Sequence, residues 1–104
     1  MEQNLKNDII TYLKVKYEYH CLVGEKLVQS GRKIGGEVIH FLPDMFIPEI
    51  DVPVELTADK DRDNDYMKAG YLPMVIVEEN LRVDVHTYID VFLDFHKKWR
   101  AQKI

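Results

Sequence analysis

A single cysteine, Cys21, stands in a chain of 104 residues. One thiol cannot close an internal disulfide or build a multi-cysteine zinc site. The fold must therefore be held by a hydrophobic core. At 46% apolar and 31% charged residues the chain has the composition of a globular protein, not of a disordered one. Its length suits one domain, so residues 1–104 are expected to form a single unit. The chain shows no internal repeat, no Ser/Gly linker and no low-complexity tract.

No apolar run approaches the ~20 residues that span a bilayer, and the opening MEQNLKND lacks the order of a signal peptide. The expected location is cytoplasmic, away from membranes.

The net charge of −4 argues against a general nucleic-acid binder, which needs a basic surface. That charge is unevenly spread. Residues 44–65 hold eight acids against two bases, a net −6, whereas residues 97–104 hold four bases and no acid, a net +4. A concentrated acidic segment can stand in for phosphates or meet a basic protein surface.

The clearest element lies near the C-terminus. Tyr88, Ile89, Phe92, Phe95, His96 and Trp99 recur at helical steps. Thr87 and Asp90 have capping-box spacing, and Lys97, Lys98 and Arg100 fall in the last turns, where cations suit the helix dipole. His86, Asp90 and Asp94 mark the solvent side of this amphipathic helix.

Residues 9–23 admit two readings. From Leu13 to Cys21 apolar and polar residues alternate as in a strand, yet a helix over about 4–30 places Asn7, Thr11, Lys14, Glu18, Glu25 and Gln29 on one polar stripe. The helix accounts for more residues and is the expectation, with Gly31 as its stop. Its β-branched and aromatic content speaks for the strand.

GEVIHFLP reads as a strand closed by Pro43. In the following MFIPEIDVPVEL, Ile50, Val52 and Val54 alternate with polar residues, and two prolines suggest an edge strand or arm open to a partner strand. TADKDRDNDYMKAG reads as a polar surface loop, and YLPMVIVEENLRVDV as a hairpin around Glu79 and Asn80. The expected class is α+β: a small antiparallel sheet of three to four strands, an N-terminal helix and an amphipathic C-terminal helix.

Five features could carry chemistry. Asp59, Asp61, Asp63 and Asp65 alternate like the first half of a calcium loop, but Asn64 replaces the sharp-turn glycine and Gly70 the bidentate Glu. A solvated loop or an acidic contact patch fits better, and no metal or other cofactor is expected. His20 and Lys16 could serve a small enzyme if one pocket gathered them, although a snorkelling lysine and a polar histidine explain them better. Cys21 reads as a small core residue. His86, Asp90 and Asp94 have a metal-like spacing without the H-E-x-x-H pattern. Gly31–Gly36 holds two cations but precedes a strand, unlike a phosphate loop.

The functional expectation is a non-enzymatic protein-interaction module: a small acidic adaptor, inhibitor or immunity-type protein of the kind phages and mobile elements carry. Its partner would present a basic surface to Asp59, Asp61, Asp63, Asp65, Ile50, Val52 and Val54. The alternatives are a homo-oligomeric structural or accessory subunit and a small enzyme using His20 and Lys16.

Overall fold

The computed structural model describes residues 2–102. Chain order begins with helix α1 (Glu2–Tyr12), which continues into a wide π-turn (Leu13–Tyr17). Strands β1 (Leu22–Val23), β2 (Val28–Ile34), β3 (Glu37–Phe41), β4 (Met45–Ile47) and β5 (Val52–Glu55) follow. Helix α2 (Lys60–Lys68), strand β6 (Met74–Val75), a 3-10 turn (Glu78–Asn80) and helix α3 (Val85–Gln102) complete the order. The class is α+β with a helix toward each end, as expected. The main sheet, in the order β1-β4-β5-β6, is mixed rather than purely antiparallel, because β6 runs parallel to β5; β2 and β3 form a separate hairpin.

Helix α1 buries Leu5 and Ile9, and Leu13 in the π-turn continues the same stripe one turn on. The helix does not reach residue 30. It closes where Glu18 adopts a left-handed φ of 61° and its N–H bonds Lys14 O. The β-branched and aromatic run Val15–Tyr19, a poor helical stretch, marks this end. Gly31 is accordingly no helix stop but a strand residue. A Cβ there would lie 2.3 Å from Lys68 Cβ, so the missing side chain lets β2 lie directly on α2. Gly35 and Gly36, with φ of 59° and 85°, make the two-residue hairpin turn, both in the left-handed region a type I′ turn requires.

Strand β5 is interior, not an edge. It pairs antiparallel with β4 and parallel with β6, and Val52 and Val54 have no exposure. Its tolerance of Pro53 follows from β6 pairing only Val54 and Glu55, so the parallel strand stops short of the residue that lacks an N–H. The expected loop over 57–70 is helix α2. Asp59 caps it by accepting Arg62 N–H at 3.1 Å, with Asp61 and Asp63 in the first turn and Lys68 in the last. The expected hairpin at Glu79 and Asn80 is a 3-10 turn between β6 and α3.

Helix α3 is the predicted amphipathic helix. Its cap is Asp84, which accepts Thr87 N–H at 2.9 Å and Thr87 Oγ1 at 2.8 Å, one turn ahead of the expected Thr87–Asp90 pair. Ile89 and His96 are buried and Phe92 and Leu93 half-buried, whereas Phe95, expected on the apolar face, is 56% exposed beside Val91 on the outer side. One core gathers Leu5, Ile9, Leu13, Ile47, Val54 and Ile89 among others, and a second packs Val28, Phe41, Phe46 and Tyr66 between the hairpin and α2.

Candidate functional site: a cleft beside helix α3

An open cleft of about 730 Å³ runs along one flank of α3. Tyr17, the last residue of the π-turn, and Tyr19 just past it form one wall, with their rings stacked at 5.7 Å and an interplanar angle of 14°. Ile50, in the turn between β4 and β5, supplies an apolar edge. Asp90, Leu93, Asp94, His96, Lys97, Arg100 and Ala101 of α3 line the other side.

Tertiary bonds hold these walls in place. Arg100 donates to Ile50 O at 2.7 Å and lies 3.5 Å from Asp51, which ties α3 to the β4–β5 turn. At the opposite end Asp90 receives Tyr17 Oη at 2.5 Å, both carboxylate oxygens lie 2.8 Å from Tyr12 Oη, and Lys16 Nζ sits at 2.9 Å. Tyr17, Lys16 and Tyr12 together pull the Asp90 carboxyl down to about 2, against the opposing effect of desolvation. Burial first, then the hydrogen bond to Asp90, pushes the Tyr17 phenol up to about 12.

His96 forms the inner surface. It is 4% exposed, flanked by Phe92 and Trp99, and has no hydrogen-bond partner among the described residues. It lines this cleft and a second of about 420 Å³ on the side of Gly70 and Tyr71. Burial, reinforced by the Arg100 charge and opposed by Asp51, holds its imidazole below the usual range, so it is neutral at pH 7 with one N–H to donate. Asp94 pairs with Lys98 at 3.1 Å, whereas Lys97 faces no carboxylate among the described residues.

Lys16 and His20 are not gathered in one pocket: neither lines any cleft described here. Lys16 serves Asp90. His20 Nδ1 lies 2.5 Å from Glu49, whose carboxylate also accepts the His20 backbone N–H, and its Nε2 lies 3.2 Å from Lys14 Nζ. Burial, aided by the Glu49 charge, raises the Cys21 thiol to about 11, which makes it a weak nucleophile at neutral pH. His86 turns to Asp8 at 2.9 Å and stacks on Tyr12 at 3.9 Å, away from Asp94. Among the described residues no three His, Cys, Asp or Glu side chains converge as a metal site.

The four aspartates are divided by α2. Asp59 is the cap, and Asp61 is exposed on the first turn. Asp63 is half-buried with one oxygen lacking a partner. Asp65 is buried beside Arg32 at 2.7 Å, a charge contact without hydrogen-bond alignment. Ile50 belongs to the cleft, whereas Val52 and Val54 are sealed in the core.

Sequence reasoning missed the cleft, because its walls come from residues 17–19, 50 and 90–101. One trace was legible: His96 falls on the apolar side of an amphipathic helix. Compared with protein-family models, curated proteins and solved structures, the chain matches none. No helix among the described residues is long and apolar enough to cross a membrane.

Proposed function

We propose that this chain is a protein-interaction module that captures a segment of a partner in the cleft beside α3. The observation that carries the reading is the composition of that cleft. Two stacked tyrosines, Ile50 and Leu93 give an apolar centre, and Lys97, Arg100 and Asp94 give a charged rim. Apolar and aromatic anchors inside a polar rim are the usual anatomy of a binding hot spot. The acidic residues contribute less than their number suggests, since Asp59 is occupied by a cap and Asp65 by an ion pair. Asp61 alone among the four is exposed without a bonded partner within the described chain, so a basic partner surface would meet one carboxylate there rather than four.

Affinity capture from an extract of the source organism tests the reading. The unmodified chain is compared with Leu93→Glu and Ala101→Glu, which place charge in the cleft, and with Val91→Glu on the outer face of the same helix. Circular dichroism checks that each is folded. The expected result is a partner retained by the unmodified chain and Val91→Glu and lost with both cleft variants. Equal recovery by all of them, or no specific recovery by the unmodified chain, overturns the proposal.

A further inference from the structure

We infer that the occupant of this cleft is an extended segment of a partner protein in which apolar side chains alternate with carboxylates, one of which docks on Lys97 and His96. The inference rests on the reading of the cleft as a capture site and adds the chemistry of what is captured.

Charge balance along the cleft points this way. Asp90 is answered by Lys16, Asp94 by Lys98, and Arg100 by Asp51. Lys97 is left without a carboxylate, so among the described residues the uncompensated charge of the cleft is positive. Next to it stands His96, buried to 4% exposure yet lining the cavity, with a ring that has no hydrogen-bond partner among the described residues. Its ring nitrogens are not sealed from the cavity, so they can bond what fills it. A carboxylate accepts the imidazole N–H and the Lys97 ammonium together. A neutral amide meets the same imidazole but leaves the ammonium unanswered.

Dimensions favour a chain segment. The α3 residues lining the cleft span positions 90–101, roughly 16 Å at the helical rise, which accommodates about five extended residues. Alternation of apolar and acidic side chains matches the two sides of the space, with the tyrosine wall opposed to Lys97 and to Leu93 one turn before it on α3.

The experiment is an amide chemical-shift titration of the whole chain. The probes are acetylated, amidated pentapeptides alternating Leu, Ile, Phe or Tyr with Glu, and the same peptides carrying Gln. Shifts should concentrate at Tyr17, Tyr19, Ile50 and positions 93–101. The Glu peptides should bind about fivefold more tightly than the Gln peptides, the size of one partly exposed ion pair. Lys97→Glu, at an exposed position, should remove that preference by weakening the Glu peptides more than the Gln peptides. Equal binding of both sets with no effect of Lys97→Glu overturns the carboxylate inference and leaves the capture site standing. Silence of the cleft amides toward both sets at millimolar concentration overturns the two together. Free 3-phenylpropionate binding as well as the peptides would overturn it in favour of a small-molecule site. Shifts at the same amides on raising the concentration of the chain alone would overturn it in favour of a second copy.

Discussion

Two carboxylates in this chain, Glu55 and Asp90, are each held by tyrosine hydroxyl and one cation, in opposite surroundings. Glu55 ends the interior strand β5 and is 5% exposed. It pairs with Arg62, accepts Tyr66 Oη at 2.8 Å and takes Asp44 N–H at 3.3 Å, while Arg62 also caps Leu42 O at 3.1 Å and lies 4.4 Å over the Phe41 ring. Asp90 sits on α3 at the margin of the cleft, with Lys16 49% exposed. The first network welds sheet, hairpin and α2 together. The second ties the end of α1 and its π-turn to α3 and sets the tyrosine wall beside the cleft. Similar chemistry therefore serves cohesion where water is excluded and positioning where water enters.

The largest expected effect comes from the buried member. Glu55→Ala leaves Arg62 without its carboxylate and Tyr66 without its acceptor. The fold should lose about 3 kcal/mol, near the lower end for breaking a buried pair because Arg62 keeps some solvent. Urea unfolding measures it, and a loss under 1 kcal/mol would erase the contrast between the two sites.

A smaller loss is expected from Asp90→Asn, and its signature is pH. The Asp90 carboxyl stands at about 2 in the fold, against ~3.9 in an unfolded chain. Its stabilisation is thus complete above about pH 4 and lost as the pH falls toward 2. The stability difference between the unmodified chain and the variant should shrink across that window. The Tyr17 phenol should also fall part of the way from about 12 toward its ordinary value, since burial, its first cause, remains. Spectrophotometric tyrosine titration reads this. A pH-independent difference and an unmoved phenol would show that Asp90 does not organise the wall.

The smallest effect belongs to Asp63, beside the Glu55 network. Burial, then the charges of Glu55 and Asp59, raise its carboxyl, and one oxygen has no partner. A raised acid is destabilising while ionised, so Asp63→Asn should gain a few tenths of a kcal/mol at pH 7, limited by solvent screening. The gain should vanish as the pH falls through the range where Asp63 itself protonates. A loss measured by thermal unfolding would place Asp63 among the residues that bind the network.

Legibility followed the range of the interactions. Helix α3 was readable because its apolar positions and terminal cations repeat within the helix itself. Helix α2 was readable in principle: Asp59 as a cap, acids in the first turn and Lys68 in the last are local signals, but the run of charge resembled a solvated loop. Residues 9–23 were ambiguous for a physical reason. They are a helix end, a π-turn and a short strand in succession, so neither period holds throughout. Proline argued for an edge at β5 and was misleading, since the parallel neighbour begins only opposite Val54, past Pro53.

The lone cysteine, the absence of a repeat and the charge segmentation by themselves determined that a hydrophobic core must hold this chain and that its last turns are basic. The α+β class and the two terminal helices followed from periodicity, which is a property of neighbours along the chain. Only the tertiary structure decided that Val52 and Val54 are core, that Asp59 and Asp65 are occupied within the fold, and that Tyr17, Tyr19, Ile50 and His96 share a cleft. Those outcomes depend on which distant groups meet, and pairing across dozens of residues leaves no local pattern to read.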